Sequence, residues 1–478
     1  MDTASFQFVA FGLAAAVISN FSRSRVWRSA VLLVASSVFL ALLSQHLLLF
    51  VPLIGFLALG YIGLILLERG WSKFSVWSIL ATLLAYAWLK KYSFLPEGTF
   101  IHAPYFTLGL SYIFFRVLHL LIEAGDGEEK RHIGPFAYLL YTLNFTTFVS
   151  GPIQRYDDFA RDQFTDEPIS LGPRVIGLQM ERIVRGFFKV NVLAMLLHMV
   201  HEDALAQISQ QFAGSAKLVS AAELVLVYPL FLYANFSGYI DIVIGLARLM
   251  RVRLPENFDR PFASSSVLDF WNHWHMTLSN WFKTYVYNPL LLALMRRISS
   301  ITAEPFLGVF CFFVTFFLVG VWHGRTSEFL VFGLLTGGGI SLNKLWQIEM
   351  SRILGRKGYK ELAKNPVYRA FGRGLTFSWF GFTLFWFWGE WQQLDRVFAA
   401  LGAMQWLGVV TAAWLCATAI LALWEWLRSS LWSAEAASRP VLTSRYALVV
   451  YASALGATAL VITVLLNQPA PGIVYKAF

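Results

Sequence analysis

Two cysteines in 478 residues, Cys311 and Cys416, are too few for a disulfide framework, and no CxxC pair suggests a thiolate metal site. Both lie inside apolar segments, where a thiol packs as a small hydrophobe. Charge is scarce too. Asp, Glu, Lys and Arg make up 14% of the chain, against about 25% in a typical soluble domain, so the polar surface of a water-soluble fold this long is missing. The chain has no Gly/Ser linker, low-complexity tract or internal repeat, which excludes a string of tethered modules and a solenoid. It also has no GxSxG elbow, so nothing marks a serine nucleophile of the hydrolase kind.

Apolar sequence fills the space. The composition is 57% hydrophobic and 17% aromatic, with a mean hydropathy of +0.58. Runs long enough for about 30 Å of hydrocarbon recur at Val31–Leu67, Val76–Leu89, Leu224–Leu246, Phe306–Trp322 and Tyr446–Leu466. The opening "FQFVAFGLAAAVISNF" follows Asp2 rather than a basic segment and reads as a retained first span. The expectation is an all-α polytopic membrane protein of roughly eleven to thirteen spans, folded as one transmembrane domain over 1–478.

The net charge of +10 is no nucleic-acid signature, because the basic residues sit in short loops between spans. Clusters at Arg23/Arg25/Arg28, Arg248–Arg260, Arg296/Arg297 and Lys344–Arg373 mark a cytoplasmic face by the positive-inside rule. From Arg297, the run Pro305–Trp322 rises about 27 Å at 1.5 Å per residue, and Glu328–Trp346 returns to the basic loop. His323 therefore sits at a hairpin turn away from the cytoplasm.

One segment is too polar for an ordinary span. Ser266–Leu294 carries Asp269, Asn272, His273, His275, Asn280 and Lys283 among tryptophans. Polar groups at membrane depth are tolerated where protein encloses them, which predicts a broken or re-entrant helix lining a cavity. His323 admits three roles, a hydrogen-bonded packing residue, a metal or haem ligand, or a general base, and His275 has the same ambiguity with a solvated interfacial histidine as its plainest role. Gly320 and Gly324 around His323 favour the base, since glycine permits close approach of a substrate. Among the other histidines, His198 and His201 have a metal-compatible spacing, with Glu202 or Asp203 at the same helix end, but the sequence offers no clear further ligand and no metal is expected. His119 with Arg116 and Glu123 forms either a charge ladder along one helix or part of a donor path.

Four blocks carry a family likeness: "FVSGPIQRYDDF", "NFSGYIDIVIGLARL", "LPENFDRPFASSSVLDFWNHWHMTLSNWF" and "VGVWHG". Together, over roughly residues 108–346, the chain resembles the membrane-bound O-acyltransferase family, in particular its bacterial cell-envelope branch of alginate O-acetylation proteins and D-alanyl exporters. The resemblance implies a ring of helices around a central tunnel in the bacterial cytoplasmic membrane. It implies His323 as the catalytic histidine and His275 as its companion. Trp271, Asn272, Trp274, Asp269, Ser279, Lys283, Trp322, Arg116, Gln154 and Arg155 are the substrate or tunnel-lining candidates. Lys283 and Thr284 stand where family members commonly carry an Arg-Asp pair.

In the reaction this implies, His323 takes a proton from an acceptor hydroxyl and His275 or Asn272 polarises a thioester carbonyl. No tightly bound cofactor is expected. The donor is acetyl-coenzyme A or an acyl carrier protein, and the acceptor is an extracytoplasmic partner, such as an SGNH-type acetyltransferase, or an envelope polysaccharide. D-alanyl transfer, lipid or protein acylation, and secondary transport are the competing readings.

Overall fold

The computed structural model describes residues 5–44, 46–126, 132–209, 214–298, 300, 302–431, 445–466 and 472. Among them the chain is helical, and its one β feature is an isolated antiparallel bridge between Phe258 and Trp274. Nine helices among the described residues are long and apolar enough to cross a bilayer, including Arg25–Leu43, Gly214–Leu249, Glu304–His323 and Ser327–Ile353. The chain is a multi-pass membrane protein. The shortfall from eleven to thirteen arises where apolar sequence forms short pieces: Phe6–Ser19 has 14 residues, and Pro135–Thr142 has 8.

The residues fall into two compact units. The first comprises 1–192, 235–256 and 445–478, the second 193–234 and 257–444. In the first unit the helix Leu110–Asp126 is enclosed, with Ile113, Phe115, Val117 and Leu121 fully buried. It packs against Val51–Glu68, where Gly60 faces Val117 and Gly63 faces Leu121. Further along, Gly186 and Gly238 bring two helices into backbone contact: a Cβ on Gly186 would lie 2.5 Å from the Gly238 carbonyl oxygen. Without a hydrophobic drive between helices in lipid, such close small-residue crossings hold spans together.

The second unit is built on two helix pairs. Glu304–His323 turns through 324–326 into Ser327–Ile353, the predicted hairpin, and Pro366–Thr383 packs along Ala403–Leu431. Asn365 caps Pro366–Thr383, its side chain accepting from the Val367 and Tyr368 amides, and Pro366 occupies a first-turn position where no amide hydrogen is needed. As expected, the stretch after Ser266 is broken. It runs as Val267–Trp271, Met276–Phe282, a π-helical turn Lys283–Tyr287 and Asn288–Arg297. Single π turns inside α-helices are rare and frequent at functional sites.

Candidate functional site

His275 lies at the break. It takes a left-handed backbone, φ 43° and ψ 52°, between Val267–Trp271 and Met276–Phe282. A non-glycine residue there costs about 1–2 kcal/mol, and the strain is held by one neighbour, Asn257. The Asn257 carbonyl accepts from the Met276 amide at 2.9 Å, and its side-chain Oδ1 accepts from the Thr277 amide at 3.1 Å and the Thr277 hydroxyl at 2.7 Å. The Asp259 amide donates to the His273 carbonyl at 3.1 Å, and the Phe258–Trp274 bridge continues the clasp.

The same network sets the tautomer of His275. The atom that receives the Thr277 backbone N–H must be the oxygen of the Asn257 amide. His275 Nδ1 stands 3.3 Å from that oxygen and so must carry a hydrogen to donate. The lone pair is then on Nε2. Asn257 is fully buried and His275 is 1% exposed.

His323 ends its helix at the hairpin turn, 2% exposed. Trp322, Phe387 and Phe332 surround its ring, with centroids 4.8, 5.3 and 5.8 Å away. His275 and His323 are close enough to interact electrostatically. Both imidazoles are buried within the second unit, and aromatic rings surround that of His323.

The glycines around His323 serve packing rather than substrate access. A Cβ on Gly320 would stand 2.2 Å from the Gly333 Cα across the hairpin, and one on Gly324 would meet the Phe329 ring at 2.1 Å. The expectation that they open a path for substrate is corrected: neighbouring protein already occupies the space.

Two cavities flank the broken helix. One is lined by Trp271, Asn272, Ser279, Asn280 and Lys283, with Thr315 and Phe316 from the helix Glu304–His323. The other, smaller one is lined by Phe270, Trp271, Thr336, Thr376, Trp379 and Thr383. Trp271 borders both. The π-helical turn begins at Lys283, so the break in helical register is also the wall of the larger cavity.

The remaining candidates have other partners. Trp274 is 1% exposed and packs on Phe258, Phe270 and Phe380, which makes it a core residue of the second unit. Asp269 is partly exposed and pairs with His273, whose Nδ1 also lies 2.9 Å from the Asp269 carbonyl. Arg116, Gln154 and Arg155 belong to the first unit. The buried Arg116 guanidinium donates to the carbonyls of Tyr141, Thr142 and Thr147 and holds that turn. Gln154 donates to the Arg253 carbonyl at 2.8 Å, and Arg155 pairs with Glu123. The ladder on His119 therefore runs through Glu123, 3.5 Å away, to Arg155 and leaves Arg116 out.

Sequence reasoning missed two residues. Asn257 appears only as one letter of "LPENF", and no periodicity or spacing marks it. Glu328 is 7% exposed just after the His323 turn, with one carboxylate oxygen accepting from the Trp391 amide at 3.0 Å and the other buried without a hydrogen-bond partner. Its five-residue distance from His323 is the only signal in the sequence.

Comparison with known proteins follows the same blocks. The profile of the membrane-bound O-acyltransferase family matches residues 71–354. The chain is 31% identical over 284 residues to the teichoic acid D-alanyltransferase of Streptococcus thermophilus, covering 57% of this chain and 65% of that protein. It is 29% identical over 265 residues to the teichoic acid D-alanyltransferase of Bacillus subtilis, covering 54% and 64%. It is 31% identical over 239 residues to the probable alginate O-acetylase AlgI of Pseudomonas fluorescens, covering 50% and 44%. The aligned region thus spans less than two thirds of each relative. With more than half of its length matched, including both buried histidines and the hairpin that carries His323, this chain belongs to the membrane-bound O-acyltransferase family.

Proposed function

We propose that this protein transfers a small acyl group, acetyl in the leading reading, from a thioester donor on the cytoplasmic side to a hydroxyl on an extracytoplasmic acceptor. The observation that carries it is the pair of buried histidines, His275 and His323, within electrostatic reach of each other in the second unit. A neutral imidazole is suited to accept a proton from a hydroxyl.

In this reading the acceptor hydroxyl loses its proton to His323 as its oxygen attacks the thioester carbonyl. The carbon–sulfur bond breaks, and the thiolate leaves with the proton that His323 returns. His275, with its lone pair on Nε2, accepts a hydrogen bond and orients the hydroxyl. It cannot donate to the carbonyl in that tautomer, so of the two groups the sequence nominates for polarisation, Asn272 retains amide hydrogens and lines the larger cavity. The basic loops supply attraction for a phosphate-bearing donor such as coenzyme A or an acidic carrier protein. The acceptor is an envelope polysaccharide or a partner protein that modifies one.

D-alanyl transfer is the second reading, favoured by the longer aligned region shared with the two teichoic acid D-alanyltransferases. One experiment separates them. The protein is reconstituted in vesicles with an envelope extract and offered radiolabelled acetyl-coenzyme A or D-alanyl carrier protein. Label moved from acetyl-coenzyme A, and abolished in His323→Ala at unchanged folded yield, supports acetyl transfer. Label moved only from the carrier selects the second reading. Transfer by His323→Ala at the parent rate removes the catalytic assignment.

A further inference from the structure

A second group of histidines lies outside this site. On the helix Met195–Ile208, His198, His201 and Glu202 occupy positions i, i+3 and i+4 of one face. One ligand atom from each lies within 4.8 Å of the other two.

Three observations mark this cluster as a ligand site. First, His201 is 2% exposed, and neither ring nitrogen has a hydrogen-bond partner. Buried polar side chains are nearly always satisfied, and a bound ion or water is a recurrent partner for those that find none within the protein. Second, the deficit is shared. The His198 Nδ1 and the indole Nε1 of Trp388 are also buried without partners, and the Trp388 ring lies 4.8 Å from that of His201. Third, the spacing suits an ion better than direct bonds. The Glu202 Oε1 stands 3.8 Å from His198 Nδ1 and 3.6 Å from His201 Nδ1, too long for a hydrogen bond. In a tetrahedral site with bonds of about 2.1 Å, ligand atoms lie about 3.4 Å apart.

We infer that His198, His201 and Glu202 bind a divalent first-row transition ion, with zinc the best match. Two neutral imidazoles and one carboxylate form a nitrogen and oxygen donor set for which zinc, nickel and copper compete, and three protein ligands leave a fourth position for water. Tyr228 and Trp388 pack around the His201 ring and fix it, with centroids 5.0 and 4.8 Å away. The side chains of His198 and Glu202 are 41% and 58% exposed, so the site opens outward and both can adjust to close the coordination sphere. All three ligands come from a single helix, so the ion does not staple separate elements. It neutralises the carboxylate and satisfies the buried ring.

The test uses the full chain in detergent, purified through a tag without histidine and stripped with a chelator. Cobalt(II) is added while the visible ligand-field bands and tryptophan fluorescence are followed, and zinc is then added as competitor. The expected result is one saturable equivalent, displaced by zinc. Affinity falls at least about tenfold in Glu202→Gln and about a hundredfold in His198→Ala, while the exposed His102→Ala leaves it unchanged. His198 and Glu202 reach the surface, so their variants keep the fold, which a change at the buried His201 would endanger. No saturable equivalent, or equal affinity in His198→Ala, overturns the site and leaves ordered water as the occupant. The readout is metal binding, so it stands apart from the acyl-transfer assay.

Discussion

Asn257 and His275 are joined through a single oxygen. Asn257 Oδ1 accepts from His275 Nδ1 at 3.3 Å while holding the amide and hydroxyl of Thr277. That oxygen does two jobs at once. It pins a left-handed backbone turn that would otherwise relax, and it orients the ring with its lone pair on Nε2. An acceptor that orients a histidine by its other nitrogen is the logic of a catalytic triad.

The first prediction follows from this contact. If acyl transfer proceeds as proposed, Asn257→Ala should lower kcat about a hundredfold, within the range expected for disabling general acid–base work. Asn257→Asp should retain much of the rate at high pH, because an acceptor oxygen remains. The carboxylate favours the His275 imidazolium, which has no lone pair on Nε2 to orient the hydroxyl, so the acid limb of the pH–rate profile should shift to higher pH. An Asn257→Asp profile that overlays the parent would show that the contact does not reach the chemistry.

A second prediction concerns the hairpin that carries His323. Gly320→Val places a side chain against the Gly333 backbone, where no rotamer change relieves the clash. Overpacking of this kind costs about 1–3 kcal/mol. Gly338→Ala on the same hairpin meets nothing within 4 Å and serves as control. Thermal unfolding followed by size-exclusion recovery should show a clear loss for Gly320→Val and none for Gly338→Ala. Equal recovery would mean that the two helices do not meet at Gly320.

The third prediction concerns Trp271, which borders both cavities. Removing its indole in Trp271→Ala should join the two spaces. If these spaces hold the acyl chain, transfer of butyryl relative to acetyl should rise by tenfold or more, since each methylene accommodated is worth about 1–3 kcal/mol. An unchanged ratio in a variant that still transfers acetyl would place the acyl group elsewhere.

Much of this protein is legible in its residues. Hydropathy alone gives a multi-pass helical protein, because about 20 apolar residues are what a bilayer demands and few soluble folds supply them repeatedly. The broken stretch after Ser266 was legible from the cost of polar groups in lipid, and the hairpin at His323 from charge bias in the flanking loops. The four sequence blocks led to the family. The role of Gly320 and Gly324 was not legible, since a glycine can serve a substrate or a neighbouring helix equally well and only the partner across the gap decides. Nor was the hold of Arg116 on one turn, where three of its donors go to backbone carbonyls.

The sequence by itself determined which segments enter the membrane and which chemical groups are carried there, because transfer free energy depends on residue type and run length. Tertiary structure decided what those groups face. It brought His275 into the neighbourhood of His323, gave Asn257 control of the His275 tautomer, and placed Trp271 between two cavities. These are relations between residues distant in the chain, and side-chain hydrogen bonds act over about 3 Å, a distance that spacing along a sequence does not encode.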